Sequence, residues 1–165
     1  MSIEQTRAIN NPQRVYEWEV EINGPSTGGL DNLLAYAQST SLPEESVETF
    51  EINHKSEKTV HAGRVASDRS FTINFFDDEN LTVYRYINNW IELIKNSATG
   101  GGVDRTLYGA NIIIRQLGAD SETVTAEHTF VLSFPSSRGE VELNYDSSEA
   151  MTFDATFSYQ RHIVA

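Results

Sequence analysis

The sequence predicts a mostly β domain, a β-sandwich or partly open barrel with one packed α-helix, and three observations lead there. Over Ser46–Phe76, Phe50 and Ile52, then Val60 and Ala62, then Phe71, Ile73 and Phe75 alternate with polar residues. Over Ala150–Arg161, Met151, Phe153, Ala155, Phe157 and Tyr159 oppose Thr152, Asp154, Thr156, Ser158 and Gln160. Only Asp77–Lys95 repeats apolar residues at helical spacing. A period of two turns one sheet face to a core and the other to water, and a period near 3.6 builds one apolar stripe.

Each element follows from local chemistry. Residues 1–14 are polar and interrupted by Pro12, and read as an arm ahead of a single domain at 15–165. Val15–Ile22 is a strand with Tyr16, Trp18, Val20 and Ile22 on one face and an acidic comb of Glu17, Glu19 and Glu21 on the other. Asn23–Gly29 is made of turn residues, and Leu33–Gln38 fits a short helix or a strand. Ser46–Phe76 reads as a long hairpin with the polar tip Lys55–Lys58, followed by a third strand. The helix opens on Asp77, Asp78 and Glu79, carboxylates suited to the first free amides and to the helix dipole. Its stripe is Val83, Ile87, Trp90 and Ile94, with Lys95 in the last turn and Gly100–Gly102 at the exit. Four strands complete the chain, at Leu107–Leu117, Val124–Phe134, Glu140–Asp146 and Ala150–Arg161, with Pro135–Gly139 as one of the turns. Leu107–Leu117 is apolar on both faces, which fits a central strand.

Charge and composition narrow the function. The chain carries 24 acidic against 12 basic residues, a net charge of −12, and no basic patch of the kind that holds nucleic acid by its phosphates. With no cysteine it has no disulfide framework, thiolate metal site or thiol nucleophile. No apolar run reaches membrane-spanning length, and MSIEQTRAINN lacks the pattern of a signal peptide, so a soluble, reducing compartment is expected.

Catalytic and ligand constellations have simpler readings. Asp77, Asp78 and Glu79 are accounted for by a helix N-terminus, and His54 with His61 lacks the third ligand of a zinc site. Gly100-Gly101-Gly102 lacks the lysine of a phosphate-binding loop, and no serine has a nucleophile-elbow context. No enzymatic activity and no cofactor are expected. The Glu17, Glu19 and Glu21 comb is either a solvated strand face or an acidic stripe that docks a basic partner. A long hairpin with open edges points to assembly.

Several phrases follow one another in order: Tyr16-Glu17-Trp18-Glu19-Val20-Glu21-Ile22, Ser39-Thr40-Ser41-Leu42-Pro43, and the hairpin ending His61-Ala62-Gly63-Arg64. Next come Phe71-Thr72-Ile73-Asn74-Phe75, Asn89-Trp90, Phe134-Pro135 through Gly139-Glu140 and Tyr145, and the aromatic strand from Phe153 to Tyr159. In this order and spacing they resemble the tail tube proteins of contractile-tailed bacteriophages. The likeness covers nearly everything beyond Val15, and the insertion at Asn23–Leu33 is longer and richer in glycine than the family pattern.

The resemblance implies hexameric rings that stack into a tube, with a shared inner β-barrel around an open lumen. It further implies a tail sheath protein outside, a tape-measure protein and genomic DNA inside, a baseplate tube initiator and a tail terminator at the ends. Residence would be in the virion tail, after synthesis in the host cytoplasm, without membrane anchoring. On that reading the polar stripes line the lumen: Thr49, Glu51 and Asn53 with Thr59 and His61 from the hairpin, and Thr152, Asp154, Thr156 and Ser158 from the last strand. A neutral-to-acidic wall gives DNA, with one charge per roughly 1.7 Å of axis, nothing to grip. The tip Lys55, Ser56, Glu57 and Lys58 would touch the adjacent ring. Three rivals stand beside this: a tube subunit of an injection particle carrying protein, a baseplate-end initiator, and a small-ligand-binding β-barrel with a closed apolar cavity.

Overall fold

The computed structural model describes residues 12–25 and 36–165. Among them are nine strands and two helices: β1 (Trp18–Asn23), β2 (Ala37–Thr40), β3 (Ser46–His54), β4 (Glu57–Ala66), β5 (Ser70–Phe76), α1 (Thr82–Ile94), α2 (Arg105–Tyr108), β6 (Ala110–Leu117), β7 (Val124–Arg138), β8 (Thr152–Ser158) and β9 (Arg161–Val164). The expected arm up to residue 11, the expected loop from residue 26 on and the expected second element up to residue 35 lie outside the described residues; the end of that second element, Ala37 and Gln38, is strand, within β2.

Seven strands share one sheet in the order β1-β6-β7-β8-β5-β2, with β9 also on β7. All described pairings are antiparallel, and β7 makes the sheet into two layers. Its first part pairs with β6 on one edge and β9 on the other, and from Phe134 onward it pairs with β8. The change of layer falls where the β6–β7 register shifts, and Leu132 there has φ 52. A bulge at such a corner turns a strand from one sheet to the next. Gly109 packs against it: a Cβ at that position would lie 2.9 Å from both the Arg105 carbonyl oxygen and Leu132 Cδ2.

The core between the layers is aromatic. Phe71 of β5 stacks on Phe130 of β7 with centroids 4.3 Å apart, and Phe157 and Tyr159 close around them. Helix α1 buries Val83, Tyr86, Ile87 and Trp90, the recurrence expected of a helix with one apolar stripe. Trp90 lies against Phe157, and its indole N–H donates to the Tyr108 carbonyl at 2.8 Å, which ties α1 to α2. Arg138 at the end of β7 holds the outer side of the helix, its guanidinium 4.1 Å over the Tyr84 ring and bonded to Asn88 Oδ1 at 2.8 Å.

Several expected elements shift, each for a local reason. The helix begins at Thr82, after Leu81 in left-handed geometry. The aspartates still cap it, from the preceding turn: Asp77 accepts from the amides of Val83 and Tyr84, and Asp78 from the amide and hydroxyl of Thr82. Lys95 follows the helix and bridges to Gly102. Pro135 through Arg138, expected as a turn, continues β7, because the missing proline N–H falls at a bulge where the ladder shifts. Glu140–Asp146, expected as a strand, is irregular chain beyond the end of β7 at Arg138 and joins no ladder among the described residues. Leu107 and Tyr108 belong to α2, not to the strand that follows. The last strand breaks at Tyr159-Gln160, and its end crosses to the other layer as β9.

Replacing Trp90 by alanine removes a fully buried ring and the bond to Tyr108, and the expected loss is about 3–5 kcal/mol. Urea unfolding followed by circular dichroism measures it, and a loss below about 1 kcal/mol contradicts this account of the helix.

Candidate assembly surfaces

The hairpin β3–β4 stands apart. Among the described residues its strands pair only with each other, and nearly every residue in it is exposed. Lys55, with φ 57, opens its tight turn, and the pairing sets His54 opposite Glu57, Ile52 opposite Thr59, Phe50 opposite His61, Glu51 opposite Val60 and Thr49 opposite Ala62. Directly opposed residues share a face. One face therefore holds Phe50, Ile52, Thr59 and His61, with Phe50 stacked on His61 at 5.4 Å. The other holds Thr49, Glu51, Asn53, Lys58, Val60 and Ala62, with a Glu51–Lys58 ion pair of 2.6 Å. The expected grouping of Thr49, Glu51 and Asn53 with Thr59 and His61 on one polar face is corrected by this register. Phe50 and Ile52 remain 51% exposed.

The outward face of β8 is as the alternation has it. Phe153, Ala155 and Phe157 point into the core, while Thr152, Asp154, Thr156 and Ser158 point out. Neighbouring strands extend this face with hydroxyls and amides. The Thr72 and Thr156 hydroxyls are 3.0 Å apart, the Asn74 amide donates to Asp154 Oδ1 at 2.6 Å, and the Ser136 hydroxyl donates to the Thr156 carbonyl at 3.1 Å. Asp154 is the one carboxylate among these facing residues.

The outer face of the opposite layer is charged. Arg115 on β6 reaches three carboxylates: Glu21 at 2.8 Å, Glu127 of β7 at 2.9 Å and Glu19 at 3.3 Å. Glu21 is held below the usual carboxylate range, chiefly by its bond to Arg115. Glu17 lies before β1, is buried, and accepts from the Ser121 hydroxyl at 2.7 Å. The comb therefore splits: Glu19 and Glu21 face outward around a shared cation, and Glu17 anchors a turn. Arg115, which sequence reasoning passed over, is the lone cation in an otherwise apolar strand centre beside those glutamates.

A third arrangement moors the root of the hairpin. His128 of β7 and His162 of β9 are stacked, with His128 Nδ1 and His162 Nε2 3.0 Å apart. His162 Nδ1 lies 3.3 Å from Glu45, which immediately precedes β3. Burial, and His162 beside it, hold His128 below the usual histidine pKa. Among the described residues no group of three His, Asp or Glu side chains converges as metal ligands, and the sandwich interior is filled by aromatic rings where a ligand-binding barrel would keep a cavity.

Comparison with known proteins decides the family. A family model described as phage tail tube protein matches residues 9–165. The chain belongs to the phage tail tube protein family. It is 29% identical over 134 residues to the tail tube protein gp19 of Enterobacteria phage T4, covering 77% of this chain and 78% of that one. Identity to the corresponding protein of Enterobacteria phage T6 is 28% over the same length. In fold it is similar to a chain of the sheath-tube complex of an extracellular contractile injection system, at TM-score 0.69, 18% identity and coverage of 100% of this chain and 98% of the other. It is similar likewise to a chain of the anti-feeding prophage baseplate, at TM-score 0.71, 12% identity and coverage of 95% and 97%. The protein is a structural subunit of a contractile tail tube.

Two measurements check the electrostatics. Substituting Arg115 by methionine leaves Glu19, Glu21 and Glu127 repelling one another, so the melting temperature should fall at pH 7 and the deficit should shrink as the carboxylates protonate; a deficit independent of pH contradicts the cluster. His128 binds its proton more weakly folded than unfolded, so stability should decline as pH drops below about 6.5 toward the folded-state pKa. His128→Leu should flatten that decline in urea titrations across the range.

Proposed function

We propose that copies of this chain join in six-membered rings that stack into the inner tube of a contractile tail, a passive conduit with no catalytic step. The observation that carries the reading is the isolated hairpin. A two-stranded ribbon is at best marginal alone in water, and its two outer edges expose unpaired backbone groups. Strands from neighbouring copies satisfy those edges if the ribbons join side by side into a barrel shared around the ring.

The chemistry of the two outer faces supports an inside and an outside. The hydroxyl and amide face carrying Thr152, Asp154, Thr156 and Ser158 suits a wetted lumen, where it offers no cationic grip to DNA or to a tape-measure protein. In the hairpin, the face of Thr49, Glu51 and Asn53 joins that lining. The face of Phe50 and Ile52, with Thr59 and His61, turns away and is covered by a neighbouring copy. Glu19 and Glu21 with Glu127 outnumber Arg115, so the opposite layer keeps an acidic surface suited to basic groups of a surrounding tail sheath protein. A baseplate tube initiator and a tail terminator cap the ends, and the particle is free of membrane anchoring. The same architecture serves an injection particle that delivers protein, a reading favoured by the likeness in fold to chains of contractile injection systems.

Negative-stain electron microscopy of the concentrated protein tests this, with rings or hollow rods expected. Amide exchange adds a second readout: Ser46–Ala66 should exchange freely in the monomer and become protected on assembly. A monomer that stays monomeric beside an initiating complex, with its hairpin already protected, overturns the proposal.

A further inference from the structure

Two lengths of chain carry the hairpin away from the sandwich, and among the described residues two side-chain hydrogen bonds tie its root back. On one side Glu45 bonds His162, and on the other the Ser67 hydroxyl lies 3.5 Å from the Tyr159 hydroxyl. Between ribbon and sandwich opens a cleft of about 700 Å³, lined by Glu44, Glu48, Arg64, Asp68, Arg69 and Arg161. The angle of the ribbon therefore depends on the side chains at its root.

The bond to Glu45 ends a relay whose hydrogens can be counted. A carboxylate only accepts, so His162 Nδ1 carries a hydrogen and points it at Glu45, 3.3 Å away. His162 Nε2 is then bare in the neutral ring, and it accepts from His128 Nδ1, 3.0 Å away. That leaves His128 Nε2 bare, in a residue only 8% exposed, with no hydrogen-bond partner. Phe130 stacks on His162 at 4.6 Å and closes the apolar side.

A further proton has three ways in, and each costs the relay. On His162 Nε2 it meets the His128 hydrogen head-on and breaks the bond between the rings. On His128 it sits at Nε2, a buried cation without an acceptor. Passed inward from Glu45 it reverses both bonds, and the displaced hydrogen again ends at His128 Nε2. Neighbouring charges give no relief. Glu127, next to His128, lies on the opposite strand face with Arg115, while Glu44, Asp68, Arg69 and Arg161 line the cleft beyond Glu45.

We propose that Glu45, His162 and His128 form an acid-released latch on the hairpin: the relay fixes the ribbon's angle at neutral pH, and an added proton is accommodated only when Glu45 swings off and water reaches the rings. β9 pairs with β7 alone, so the relay opens at a sheet edge without unfolding the layers behind it. His128 is held below the usual histidine range, so the latch is fully closed above about pH 6.5 and fails as pH falls below it. It is a property of one chain. Only its purpose, a ribbon held poised for a neighbouring copy, rests on the shared-barrel reading.

The chain has no cysteine, so Ser56→Cys at the hairpin turn and Glu122→Cys in the β6–β7 turn each take one nitroxide label. With labelled protein diluted in unlabelled protein, pulsed electron spin resonance should give one narrow distance at about pH 8 and a broad distribution at about pH 5. Tryptophan fluorescence should stay constant over the same range. His128→Gln should keep the narrow distance throughout, because its amide oxygen accepts from a protonated His162 and no buried ring nitrogen is left to take a hydrogen. Glu45→Ala, an exposed change, should broaden the distribution at both pH values. No broadening on acidification overturns the latch, as does a His128→Gln protein that opens where the parent does, or a Glu45→Ala protein that stays narrow. Opening that coincides with loss of the tryptophan signal is global unfolding and overturns it too. If His128→Gln does not fold, Glu45→Ala decides alone. None of these measurements requires rings or rods, so failure of the tube reading is a separate result.

Discussion

Backbone N–H and C=O groups at a sheet edge must find partners, and this chain leaves two long rows of them on a ribbon that pairs with no other strand among the described residues. The other features of the molecule arrange themselves around that deficit. The seven-stranded sheet supplies a rigid body with a filled aromatic core. The ribbon leaves that body from one end of the β5–β8 ladder, where Glu45 and the stacked pair His128 and His162 fix its root. A tube subunit built this way is stable as a body and incomplete as a sheet.

β7 lets one chain present two unlike surfaces. By turning at Leu132 it serves both layers, and the aromatic cluster around Phe71 and Phe130 fills the space between them. Each layer is then free to choose its solvent side. One chose hydroxyls and amides bonded to one another across strands; the other chose glutamates held about Arg115. Neither choice affects the core, because strand alternation separates inward from outward positions.

Most of the fold was legible in the sequence because alternation and helical spacing are properties of single segments. The last strand shows this best: Phe153 to Ser158 came out inward and outward as its period requires. What could not be read was the relation between segments. Periodicity gives each hairpin strand two faces but does not say which faces coincide, and the two-residue turn after His54 sets Phe50 against His61, not against Val60. Pro135 carries a turn signal that a bulge uses equally well, and Glu140–Asp146 carries strand-like residues that follow the end of β7 and join no ladder among the described residues. Arg115 was visible only in combination, as the one cation that could answer the glutamates of a strand elsewhere in the chain.

An adhesive strand pair is a hazard on any molecule that must first exist free in solution. Here it is borne by a polypeptide whose acidic groups exceed its basic ones two to one. Free copies approaching at random repel from most directions, and that repulsion keeps them dispersed. The net charge that preserves colloidal stability thus also works against chance meetings of the exposed strand edges.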